Sequence, residues 1–102
     1  MKHTEKEILN IAKKTLQGIF KDLYKESDIE NAYYRETKEL YRGENRGKAH
    51  PSWTIAIKAP FDNIDFLTIS DETGEPLYYQ NFNMIVYEIG KDADGNYFRK
   101  EN

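Results

Sequence analysis

Hydrophobic positions follow two periods along this chain. Ile8, Ile11, Ala12, Leu16, Ile19, Phe20 and Leu23 recur three and four residues apart, the spacing of one helix face. Lys6, Lys13, Lys14, Lys21 and Lys25 mostly take the other side. Thr4 and Glu7 form a Thr-x-x-Glu capping box ahead of this run, which predicts an amphipathic helix over about Glu5 to Tyr24. Gly18 costs such a helix up to about 1 kcal/mol relative to Ala, and the reading given to it is a close helix–sheet contact.

From Pro51 onward the period drops to two. Trp53, Ile55, Ile57 and Ala59 share one strand face, with Thr54, Ala56 and Lys58 on the other. Pro60 to Ile64 reads as a loop. In the next strand Leu67 and Ile69 oppose Phe66 and Thr68. Asp71 to Glu75 carries turn chemistry: Asp71 can bond its own backbone, and Gly74 can take positive φ. Pro76 suits the first position of the following strand, which continues through Leu77, Tyr78 and Tyr79. A turn at Asn81 to Asn83 precedes a strand from Met84 to Ile89, with Ile85, Tyr87 and Ile89 on one face. Asp92 to Asn96 is a further turn, Tyr97 to Arg99 a short edge strand, and Lys100 to Asn102 a frayed tail.

Ser27 to Arg42 supports two readings. Ser27 and Glu30 make a second capping box, and Ile29, Tyr33 and Leu40 fit a helical period. Tyr33, Tyr34, Thr37 and Tyr41 favour a strand, and Gly43 to Gly47 resembles a hairpin loop. The preferred reading is a turn at Asp28 to Asn31 and then a strand from about Tyr33 to Arg42. The summed expectation is a single α+β domain over residues 1–102. One long N-terminal helix packs on a curled antiparallel meander of about five to six strands, leaving the far sheet face partly open.

Charge refines this picture. The net charge is −3, but residues 1–25 set six Lys against three acids, whereas residues 60–96 set eight acids against Lys91 alone. The basic helix and acidic sheet favour a basic partner at the sheet and disfavour nucleic acid. The absence of cysteine removes thiol and disulfide chemistry and fits a reducing compartment. No secretory leader or membrane-spanning run is visible, so the expected location is cytoplasmic, without membrane association.

Chemistry-bearing patterns are sparse. His3 and His50 make no metal-ligand spacing, and Gly47-Lys48-Ala49 lacks the hydroxyl and helix of a P-loop. Asp92, Asp94 and Asn96 superficially match a calcium loop, but Gly95 is fourth rather than sixth and no Glu follows at the twelfth position. No cofactor or metal is therefore expected. Neither histidine has an identifiable nucleophile partner, and no enzyme is expected. Glu88 is the one acid whose strand position could face a polar pocket.

The helix-then-meander order, with Trp53-Thr-Ile-Ala-Ile57 and Ile69-Ser-Asp-Glu-Thr-Gly-Glu-Pro-Leu-Tyr78, resembles small bacterial cystatin-like or NTF2-like proteins. Many of these serve as immunity proteins of polymorphic toxins. NTF2-like domains usually carry more helix before the sheet than this chain supplies, and no functional residue transfers from the resemblance. It implies a binding module that neutralises a basic toxin. In that reading Asp71, Glu72, Glu75, Asp92 and Asp94 steer the partner and Tyr78 supplies an anchor. A second reading is a small-ligand or enzymatic domain using the concave sheet face, with Tyr34, Phe82 and Glu88 lining it. A third is a homodimer pairing sheet faces.

Overall fold

The structure is a computed structural model, and it describes residues 1–100. The frayed tail expected over Lys100 to Asn102 falls outside those residues at Glu101 and Asn102. Helix α1 spans Glu5–Phe20, and six strands follow: β1 Ile29–Glu39, β2 Ala49–Ala59, β3 Asn63–Ser70, β4 Pro76–Gln80, β5 Val86–Lys91 and β6 Tyr97–Arg99. They form one antiparallel meander in the order β1-β2-β3-β4-β5-β6, which does not close into a barrel. The α+β architecture expected from the two periods is therefore present.

The capping box opens α1 as the residue pattern requires. Thr4 Oγ1 accepts from the Glu7 N–H at 3.2 Å, and Glu7 Oε1 accepts from the Thr4 N–H at 2.9 Å. The Thr4 backbone donor, followed by its hydroxyl, holds the Glu7 carboxyl below its ordinary range. The α-helix ends sooner than its apolar stripe suggests. Lys21 takes φ 51°, and one 3₁₀ turn carries the chain over Lys21–Leu23. This break turns Leu23 out to 80% exposure instead of into the core.

The inner face of the sheet meets α1. Ile8, Ala12 and Leu16 pack on Trp53, Ile55, Ile57, Leu67, Ile69, Tyr79 and Ile89. Tyr79 stacks against Tyr87 and meets Phe20 edge-on. Gly18 sits directly against the Tyr97 backbone, where a Cβ would collide with the carbonyl oxygen. The close helix–sheet contact read from this glycine is real, and β6 makes it.

Four strands begin elsewhere than the residue pattern indicates, β2 among them, which opens at Ala49 rather than at Pro51. β1 begins at Ile29, after a 3₁₀ turn at Glu26–Asp28, so the ambiguous segment is a strand that starts four residues early and ends at Glu39. β3 begins at Asn63, following a 3₁₀ turn at Pro60–Asp62. β5 begins at Val86, because the Asn81 side chain accepts from the Asn83 and Ile85 N–H groups and holds both residues in the turn. Ile85 is consequently exposed and not a core position.

Register places the outer-face side chains in rows across the strands. One row runs Asn31, Ala56, Phe66, Gln80 and Val86; the next runs Tyr33, Thr54, Thr68, Tyr78 and Glu88. The β1–β2 loop folds back across part of this face. Leu40 is buried, the Tyr41 N–H donates to the Tyr78 hydroxyl at 3.4 Å, and the two rings lie 6.0 Å apart.

Candidate functional site

The expected acidic surface divides into exposed and buried residues. Asp71, expected among the acids that steer a partner, is buried at 2% exposure. Its Oδ2 accepts from the Lys2 N–H at 2.6 Å, and its Oδ1 from the His3 N–H at 3.1 Å and the Trp53 indole at 2.9 Å. The His3 ring nitrogen Nδ1 donates to the Asp71 carbonyl at 2.7 Å. Burial pushes this carboxyl up, but the Lys2, Trp53 and His3 donors and the N-terminal charge outweigh it, so it stays below its ordinary range. Asp71 is thus an anchor that ties the N-terminal segment to the sheet. Gly74, at φ 74°, leaves space for the His3 ring.

Tyr78 also leaves the surface. It is 1% exposed beneath the β1–β2 loop, and this burial raises its hydroxyl pKa. It cannot serve as an exposed anchor. The other acids remain accessible. Lys91 Nζ lies 3.5 Å from Glu75 Oε1 and ties the β5–β6 turn to the β3–β4 turn. Glu72, Glu75, Asp92 and Asp94 therefore come from two neighbouring turns at one end of the sheet. Asp92 also shapes its own turn by accepting from the Asp94 and Asn96 N–H groups, each at 2.9 Å.

The three residues assigned to a concave pocket do not converge. Tyr34 lies on the inner face, its ring 5.3 Å from Trp53, because its register partner is Trp53 rather than an outer-face residue. Phe82 belongs to the β4–β5 turn, where its N–H donates to Asp65 Oδ1 at 2.9 Å. Glu88 does face outward, opposite Tyr78, but beside Gly43 of the overlying loop.

One groove on the outer face, of about 440 Å³, is lined by Tyr33, Arg35, Lys38, Tyr41, Thr54, Phe66, Thr68, Gln80 and Met84, and a neighbouring one of about 430 Å³ lies between the β1–β2 loop, Gln80 and Val86. Small hydroxylated residues Thr54 and Thr68 occupy the floor of the first between larger side chains, and that difference in size creates the concavity. A further cavity of about 370 Å³ opens under the end of α1, between Leu16, Phe20, Leu23, Tyr24, Ile57, Pro60, Asp65 and Tyr79. Its central polar pair is self-satisfied, since the Tyr79 hydroxyl donates to Asp65 Oδ2 at 2.6 Å. Burial, and then Asp65, raise the Tyr79 pKa far above the ordinary phenol value. A proton held this firmly suits structure better than acid–base exchange.

Among the described residues no group of three or more His, Asp or Glu converges to hold a metal ion, and no helix is long and apolar enough to cross a membrane. The residue pattern does not mark the groove cations, because Arg35 and Lys38 lie three apart in a strand and so belong nominally to opposite faces. Compared with known proteins, the chain matches no family model, no curated protein and no solved structure.

Proposed function

We propose that this chain is a protein-binding module, an inhibitor of the immunity type, whose acidic sheet end engages a basic partner. The observation that carries this reading is the meander order, which sets the β3–β4 and β5–β6 turns at one end, Lys91 Nζ 3.5 Å from Glu75 Oε1, and so groups Glu72, Glu75, Asp92 and Asp94 there. Exposed carboxylates grouped this way raise the local concentration of a cationic partner and speed encounter. The mode of action is occlusion: the end covers a cationic surface that the partner needs for its own activity.

Bait proteins carrying the wild-type sequence or the E72K/D94K substitutions test this in native lysate at low and moderate salt. The expected result is one stoichiometric basic protein, released by salt and lost from the double variant. Equal capture by both baits, or capture of nothing at low salt, overturns the reading.

A further inference from the structure

Strand β1 changes register against β2 between Arg35 and Lys38. Arg35 stands opposite Ser52, and Lys38 opposite His50. Two residues of β1, Glu36 and Thr37, are thus matched by Pro51 alone. A regular strand would send side chains three apart to opposite faces. The extra residue of the bulge puts both on the outer face, since Ser52 and His50 share it. Bulges re-aim side chains in this way and are frequent beside binding and active sites.

The two cations that result line one groove and crowd each other. Burial, and then the Arg35 guanidinium, hold the Lys38 ammonium below the ordinary lysine range. Lys38 Nζ also lies 5.5 Å from the centre of the Tyr41 ring. Among the described residues no carboxylate lies within ion-pair distance of either cation. This local field is opposite in sign to the chain as a whole, which carries −3. Around the cations, half-exposed Tyr33, Tyr41 and Phe66 and the exposed Met84 offer aromatic and thioether surface, and Thr54 offers a hydroxyl, while Thr68 lies buried beneath them. The volume of about 440 Å³ lies in the range of small-molecule sites.

We infer that the outer-face groove is a binding site for a small organic anion with an aromatic body. Its carboxylate or phosphate head is held by Arg35 and Lys38, and its ring lies against Tyr33, Phe66 and Met84. The arginine fork gives the head two parallel hydrogen bonds, and the lysine a point charge. The anion also relieves the repulsion between the two cations. This site is separate from the acidic turns and stands whether or not they bind a protein.

Titration of the full chain with 3-phenylpropionate and with phenyl phosphate, followed by backbone amide NMR shifts, tests the inference. Neutral 3-phenylpropanol and inorganic phosphate serve as controls. The expected result is saturable movement of the Tyr33, Thr54 and Thr68 amides by at least one aromatic anion. The stronger of the two then identifies the preferred head group. The alcohol and inorganic phosphate, each lacking one half of the recognition, bind about tenfold more weakly. R35Q and K38Q each weaken the anion about tenfold, and R35K, which keeps the charge but loses the fork, falls between R35Q and the wild type. Both side chains point outward, so the thermal midpoint of each variant checks that the fold is kept. The inference is overturned if neither anion gives saturable shifts at millimolar concentration. It is equally overturned if the alcohol binds as well as the acid, or if R35Q and K38Q bind like the wild type.

Discussion

Replacing Asp71 by Asn removes a charge while keeping shape, and the structure sets the size of the effect. Three N–H donors converge on the carboxylate: Lys2 on Oδ2, and His3 and Trp53 on Oδ1. An amide with its oxygen at the Oδ1 position still accepts from His3 and Trp53. Its nitrogen then faces the Lys2 N–H, donor against donor. One charge-assisted bond is lost, worth about 1.5–3 kcal/mol, and the two remaining bonds lose their ionic character. The expected loss is about 2–3 kcal/mol, which for a domain of this size lowers Tm by roughly 8–20 °C. Thermal or urea unfolding measures it directly. The pH dependence gives a second signature. The folded-state pKa of Asp71 is depressed, so its contribution is fully present above the ordinary carboxylate range. That contribution is lost as pH falls through the folded value, and D71N lacks this portion of the acid slope. Equal stability of D71N and wild type at neutral pH, or an unchanged acid slope, refutes the assignment of Asp71 as an internal anchor.

Three further outcomes follow from the packing. Gly18→Ala, which gains up to about 1 kcal/mol in an open helix, should instead destabilise by about 1–2 kcal/mol, because the new Cβ collides with the Tyr97 backbone; urea unfolding against an Asn10→Ala control reads the reversal of sign. Thr4→Ala removes the hydroxyl half of the capping box and should cost about 1 kcal/mol by the same assay. Tyr24, Tyr34, Tyr78, Tyr79 and Tyr97 all have raised pKa values, with burial the largest cause in each. Their stabilising contribution is complete below about pH 10 and declines above it, so their tyrosinate absorbance should appear together with loss of structure; titration of all eight tyrosines in the folded protein as free phenols would contradict it.

Elements with strong periodicity were legible in the residues. The Thr4–Glu7 box, the alternation from Trp53 to Ala59 and the glycine at Gly74 each rest on local rules, and each is present in the fold. Gly18 was legible for the same reason: a helix tolerates Gly poorly unless a neighbour needs the space. The site was less legible because its determinants are non-local. Asp71 reads as a solvated turn acid, but its partners Lys2 and His3 come from 69 and 68 residues away. Tyr78 reads as a half-exposed strand residue until the β1–β2 loop folds over it. The pairing of Arg35 with Lys38 depends on a bulge in an edge strand where few apolar residues record the register.

The central claim is that the acidic end recruits a basic protein, and association kinetics test it most directly. Once the captured partner is purified, its association rate constant is measured against wild type and E72K/E75K across a salt series. The account predicts a rate that falls steeply with salt for wild type, about tenfold lower for the variant at low salt, with dissociation little changed. Identical association rates for the two proteins, both insensitive to salt, would contradict it.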